Sequence, residues 1–314
     1  MRLVSGCIPF SIGDIFYSIL CCWVIWIVLD FCKRIIIFSS LKIAFKQSLF
    51  RTVVMILTIY IVFNLLWGIN YNRQGIAYQL HLKSGEYDST QLVAINQLLL
   101  EKVNATKDSV ISRKMSAMDN KTLFHEAIKA YQSASKKFPF INYEYPSIKS
   151  SLWGGLGNYL GYSGYYNPFT GEAQVNTTVP GFLRSYIVCH EIAHQLGYAK
   201  ENEANFVGYL AAKNSDSYEV QYSAYLDLFM YANRTLYILD SASSIRLRKQ
   251  LSMQVKKDIT TWKIFIESHE NFIEPLITKL YGIFLKSNKQ PMGILTYDEV
   301  TALLVHYYEK TGEL

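Results

Sequence analysis

Between Arg51 and Arg73 the chain carries no charged residue, and residues 52–69 are long and apolar enough to cross the hydrocarbon core of a bilayer as a helix. A second apolar run, 15–29, is bounded by Asp14 and Asp30 and reaches spanning length with its flanks, which predicts a span over about 12–32. Past residue 69 the continuous runs give way to periodic ones. Leu92, Ile95, Leu98, Leu99 and Val103 recur at three- and four-residue spacing, as do Phe124, Ile128 and Tyr131, predicting helices over 91–106 and 122–138. Residues 143–176 mix Tyr, Ser, Gly and Pro with apolar positions and predict short strands near 148–153, 161–166 and 171–177, with Gly154, Gly155 and Gly157 read as turn glycines. Helical periodicity returns over 180–196, 200–210, 218–239, 244–268 and 272–286, and a last helix is expected over 298–310. The fold class that follows is α+β, mainly helical: N-terminal transmembrane helices in residues 1–69, then a domain over 70–314 with a small sheet.

Charge supplies the topology. The stretch 33–51, read as a loop, carries Lys33, Arg34, Lys42, Lys46 and Arg51 and no acid, so the positive-inside rule puts it in the cytoplasm and residues 70–314 outside it. Residues 1–69 hold 6 basic and 2 acidic residues of the 31 and 25 in the chain, so the formal charge of +6 resides mostly in the anchor. The outer domain is then close to neutral, which argues against nucleic acid as a partner. Asp14 and the lack of a small-residue cleavage site argue against a signal peptide. Of the five cysteines only Cys189 lies in the outer domain, so no disulfide forms within it, and Cys189 is expected to be a small buried residue.

The chemistry concentrates in His190-Glu191-Ile192-Ala193-His194. Residues four apart share a helix face, so His190 and His194 can reach one metal ion, with Glu191 beside it as a base for water. Composition alone would yield such a motif about once in two hundred chains like this one, so context matters. Context agrees: Pro180 suits a first turn, Thr177 and Thr178 are candidate caps, and Gly197 is a stop. A catalytic zinc takes a third protein ligand, and Glu201 and Glu203 follow on the next predicted helix. They point about 200° apart, so one of them faces the metal. Glu201 shares its face with Ala204, Asn205 and Gly208, which permit close approach, whereas Glu203 shares its face with Phe206, Val207 and Leu210.

The run Glu201 to Asn205 resembles the glutamate helix of gluzincin peptidases, a likeness that implies Glu201 as ligand and Asn205 as the residue orienting a metal histidine, with Glu203 kept as the alternative ligand from the helix reading. The gap from His194 to Glu201 is much shorter than in typical gluzincins, and Lys200 stands where metzincins have a third histidine. More broadly, P-F-S-I-G-D (9–14), Y-Y-N-P-F-T-G-E-A-Q-V-N (165–176), H-E-I-A-H-Q-L-G-Y (190–198) and E-N-E-A-N-F (201–206) are similar to a bacterial membrane-protein family catalogued as domain of unknown function 3810. That family is regarded as zinc-peptidase-like, and its members tend to carry a further hydrophobic segment upstream of P-F-S-I-G-D; a lost or misplaced start is one reading of this chain.

The expectation is a multi-pass protein of the bacterial inner membrane, with Zn2+ as cofactor and a site on the extracytoplasmic side cleaving peptide or protein substrates. Glu191 would act as base, residues 172–177 would offer a strand edge to the substrate, and Tyr297 would donate to the oxyanion. Rival readings are a zinc amidase acting on a cell-wall amide, and a membrane scaffold or sensor with a structural or vestigial zinc site. His81, His125, His269 and His306 lack partners at metal spacing and are read as surface or packing residues.

Overall fold

The computed structural model describes residues 1–38, 41–83, 85, 87–113, 118–293, 295 and 299–314. A single turn, α1 (Arg2–Ser5), precedes two long helices, α2 (Ile12–Phe38) and α3 (Leu41–Leu66). Each holds a 22-residue apolar stretch, Ile12–Lys33 and Phe45–Leu66, able by length and composition to cross a membrane. The first coincides with the predicted span, whereas the second starts earlier than residue 52. Residues 33–51 are almost entirely helical rather than a loop, because they contain no Gly or Pro and several good helix formers. Arg51 therefore sits inside α3, 3.0 Å from Asp30 of α2.

After α3 the chain turns through a 3-10 segment, Gly68–Asn72, into the short α4 (Ile76–Gln79). Helix α5 (Ser89–Ser112) opens on a capping box between Asp88 and Gln91, and α6 (Asn120–Ser135) on Asp119; each cap contributes about 1 kcal/mol. Next come β1 (Ile148–Ser150), α7 (Gly154–Leu160), β2 (Gly164–Asn167) and β3 (Glu172–Val175). Gly154, Gly155 and Gly157, expected as turn residues, lie within α7, which ends at Gly161 with φ +77°.

The strand order is β1-β3-β2, with β1 parallel and β2 antiparallel to β3. This overturns the expectation of a substrate edge at 172–177: β3 is the central strand, paired on both sides, and all four of its residues are buried.

The rest is helical: α8 (Gly181–Gln195), α9 (Glu201–Lys213), α10 (Tyr218–Leu239), α11 (Ser241–Lys249), α12 (Met253–Glu267), α13 (Glu274–Ser287) and α14 (Val300–Thr311). The helix expected over 244–268 is two. The Asn104 side chain donates to the Gln250 carbonyl (3.1 Å) and accepts from the Ser252 amide (2.9 Å), and Ser252 caps α12. Helices α8, α9 and α10 pack with α5 and α6 around fully buried Tyr131, Phe206, Tyr209, Leu210 and Leu226. Burying one such side chain stabilises by about 1.5–3 kcal/mol.

Residues 2–14, which lead into the first long apolar stretch, are bonded to the sheet region of the domain. Glu172 accepts from the amides of Ile12 (3.2 Å) and Gly13 (2.5 Å) at the start of α2. Asp14 accepts from the Leu152 amide (2.6 Å) and the Tyr165 hydroxyl. Ser5 bonds Ser147 (2.8 Å), and Arg2 donates to the Glu144 carbonyl (2.9 Å). Both α2 at its start and α3 at its end thus meet the domain on the same side, with the end of α2 and the start of α3 away from it.

Candidate metal centre

Helix α8 carries both histidines as expected, although its start differs: Pro180 is the N-cap and no side chain caps it, while Thr178 bonds Asn176 and Asn158 instead. Its end is a Schellman arrangement. The Gly197 amide donates to the His194 carbonyl (2.9 Å) and the Tyr198 amide to the Ala193 carbonyl (3.2 Å), with Gly197 at φ +90°. That turn brings the Tyr198 carbonyl to His194 Nδ1 at 2.7 Å. Arg73, just beyond α3, donates to the Leu196 carbonyl (2.6 Å) and lies over the Tyr198 ring.

Helix α9 approaches closely because Gly208 has no side chain: a Cβ there would stand 3.1 Å from the His190 amide nitrogen and 3.2 Å from the Cys189 carbonyl carbon. The approach brings Glu201 Oε2 to 3.1 Å from His190 Nε2 and 3.4 Å from His194 Nε2. One ligand atom from each residue lies within 4.8 Å of the others, and among the described residues this is the one such cluster of His, Cys, Asp and Glu. Asn205 Oδ1 is 2.7 Å from His190 Nδ1. Both rings therefore commit Nδ1 to the protein and turn Nε2 toward the same point.

Glu203 is not part of the cluster. It pairs with Lys200 (3.3 Å) and packs against Gly75. Tyr297 lies outside the described residues. Cys189 is fully buried, its thiol pushed up to about 12 by burial, and its carbonyl accepts from the Tyr131 hydroxyl (2.6 Å). His269 bonds the Phe265 carbonyl (2.7 Å) and His306 the Gly85 carbonyl (3.0 Å), in keeping with packing roles.

Burial works to raise the Glu201 carboxyl, but the two imidazoles facing it, the His194 charge foremost, win and hold it well below the usual range. Burial would lower His194, yet Glu201 beside it lifts it to about 9. Glu201 Oε2 has no hydrogen-bond partner, and neither does the buried Glu191 Oε2. Two imidazole nitrogens and one ionised carboxylate oxygen converging on such a point could hold a metal ion. Glu191 is 4% exposed; burial raises its carboxyl to about 7, against the pull of His190 and His194. A Cβ on Gly164 of β2 would stand 2.6 Å from Glu191 Oε1, so glycine leaves room for that carboxylate.

Several neighbours carried no signal in the sequence. The Tyr281 hydroxyl of α13 donates to Glu201 Oε1 (2.7 Å), and the Glu201 amide donates to the Gln290 side chain (2.9 Å). Trp67, one residue past α3, stands edge-on to the His194 ring at 6.3 Å and stacks near Tyr166 at 4.2 Å. Burial and the nearby Glu201 charge raise the Tyr71 phenol, despite a hydrogen bond with Trp67. Asp227 of α10 is raised to about 7 by burial, opposed by His190. With 24 tyrosines in the chain, periodicity could not have singled out Tyr71 or Tyr281.

Comparison with known proteins adds one match: the family described as "Protein of unknown function (DUF3810)" aligns with residues 1–305. No curated protein and no solved structure matches.

Proposed function

The chain belongs to the DUF3810 family, whose description carries no activity, and from its own residues we propose that it is a membrane-anchored zinc peptidase facing the extracytoplasmic side. The observation that carries this reading is the convergence of His190, His194 and Glu201 within 4.8 Å, with Glu191 alongside and its carboxyl near neutrality.

His190 Nε2, His194 Nε2 and a Glu201 oxygen would hold the ion. A zinc ion there supplies a Lewis acid that polarises a carbonyl and acidifies water. Glu191 acts as the base: it takes a proton from the attacking water and passes it to the leaving amine, a task suited to a group titrating near the working pH. Asn205 and the Tyr198 carbonyl keep the two rings in the orientation their Nε2 atoms need. Tyr281 holds Glu201 by its other oxygen. Strand β2 has one side paired with β3 and, among the described residues, no strand on the other; an extended substrate adding there would pass Gly164 and so Glu191.

The extracytoplasmic orientation rests on two features. The basic residues Lys33, Arg34, Lys42 and Lys46 lie toward the far end of the hairpin from the domain, and both domain-side ends of the hairpin are bonded or packed to the domain.

The test is zinc content and peptide hydrolysis of the purified full chain beside Glu191→Gln. One zinc per chain, with hydrolysis lost and zinc kept in the variant, is the expected result. A folded, metal-free and inert wild type overturns the proposal.

A further inference from the structure

Helix α13 is amphipathic in an unusual sense: its apolar face points outward. Leu276, Leu280 and Ile283 are 56%, 53% and 53% exposed. At about 100° per residue they fall within roughly 60° of arc. Tyr281, roughly 130° from the centre of that arc, reaches inward to Glu201, and Leu285 is buried. The exposed face continues into the hairpin, since Phe284 meets Phe63 of α3 with ring centres 6.2 Å apart.

A second apolar patch stands against the other spanning helix. On α7 and its leading turn Leu152, Leu156 and Tyr159 are about half exposed or more, and the Trp153 indole donates to Ser18 of α2 at 3.2 Å. Ser18 lies about 9 Å along α2 from its start. The two patches adjoin each other: the Asn271 side chain, just before α13, donates to the Tyr159 carbonyl at 2.6 Å. Lys279 and Lys286, both exposed, lie along one edge of the outward face of α13, roughly 70° and 90° from its centre.

We propose that α7 and α13 form a collar around the domain-side end of the hairpin, seated in the headgroup and upper acyl region of the bilayer, so that the His190/His194/Glu201 cluster opens at the lipid–water boundary. Three observations name lipid as the occupant. The collar is continuous with the exposed apolar surface of two helices of spanning length. It offers Trp and Tyr, which favour the membrane interface. Lysines border the apolar face of α13, where anionic headgroups would meet them. Trp67, the first residue past α3, contacts His194, and Arg73, at the end of the 3-10 segment that follows, contacts the end of α8, so the cluster sits within one side chain of the end of the span. For the activity proposed above, on which this last step rests, the substrate class is a polypeptide segment lying close to the membrane surface.

The collar is tested without reference to hydrolysis. The full chain is reconstituted in phosphatidylethanolamine and phosphatidylglycerol vesicles containing a lipid with a diazirine in its acyl chain, irradiated, and its adducts mapped by mass spectrometry. Adducts on α2 and α3, and on α7 and α13 several-fold above α6, are expected, with the same pattern after chelation. Labelling of the hairpin alone, with α7 and α13 at the level of α6, overturns the collar. An unlabelled α13 protected from hydrogen exchange in a dimeric protein also overturns it, since a second copy then covers the face. Either outcome leaves the zinc reading standing, whereas a labelled collar on an inert, metal-free chain would sink only the latter.

Discussion

Glu201 and Glu172 are both withdrawn from water, at 5% and 0% exposure, yet the protein compensates the two carboxylates by opposite means. Glu172 accepts hydrogen bonds from neutral donors, two backbone amides at the start of α2, the Thr170 hydroxyl (3.0 Å) and the Gln174 amide (3.0 Å), with the Lys149 charge nearby. A helix N-terminus adds its partial positive charge. Glu201 receives one hydroxyl on Oε1, while Oε2 has no donor and faces two imidazole nitrogens. A carboxylate with a full shell of donors is a fastener, here tying the first long apolar helix to the sheet. One left bare opposite two imidazoles requires positive charge, which without a metal must come from protons on the rings.

The sharpest way to separate the two regions is to alter one and read both. Glu191→Gln should lower peptide hydrolysis by about 10²–10⁴-fold with zinc content unchanged, since it removes the base and leaves the ligands. Comparable turnover in the variant would reduce the cluster to a fastener like Glu172. Asn205→Ala frees the His190 ring and should weaken zinc binding by about 10–100-fold, measured by competition with a chelator. Gly164→Ala should depress turnover at full zinc occupancy, because its Cβ would stand 2.6 Å from Glu191 Oε1 and force the base to move.

At the other region, Glu172→Ala leaves the Ile12 and Gly13 amides without their acceptor and should cost about 1–3 kcal/mol in stability to denaturant, with zinc binding unaltered. Loss of zinc in that variant would break the comparison by coupling the two carboxylates.

The smallest effect expected is a pH dependence confined to the metal-free protein. His194 is raised from 6.5 to about 9, so its contribution is complete below pH 6.5 and lost as pH rises through about 9. Glu201 is lowered below 4.5, so its contribution is present above pH 4.5 and lost as pH falls below it. Thermal unfolding of the chelated chain should therefore fall by a few degrees between pH 6.5 and 9. Zinc affinity should rise over the same interval, because the metal binds the deprotonated ring.

Much of the cluster was legible because its parts are close in sequence. The i, i+4 spacing of His190 and His194 fixes their common face, Gly197 ends the helix, and the small residues Ala204 and Gly208 distinguish Glu201 from Glu203 in the sequence itself. The span 12–32 and the mainly helical character followed in the same way from local composition and period. The second apolar stretch was placed too late because residues 33–51, with three lysines and two arginines, were read as loop, whereas with no Gly or Pro among them α3 already begins at Leu41, its Arg51 paired with Asp30.

What failed was strand order. Residues 171–177 announce a strand, but which neighbours it pairs with is decided by β1 and β2, one of them parallel and none specified by the pattern of β3 itself.

The sequence by itself determined the local facts: two apolar helices of spanning length, a basic far end, and two histidines with a glutamate on one helix face. Tertiary structure alone decided that Tyr281, 80 residues from Glu201, would hold that carboxylate, and that Glu172, 159 residues from Gly13, would fasten the first long apolar helix. The physical reason is that periodicity records which side of an element is buried but not what buries it. Contacts across such distances are set by how whole elements pack, and their residue types, a tyrosine among 24 or one glutamate among many acids, carry no mark of the partner they will meet.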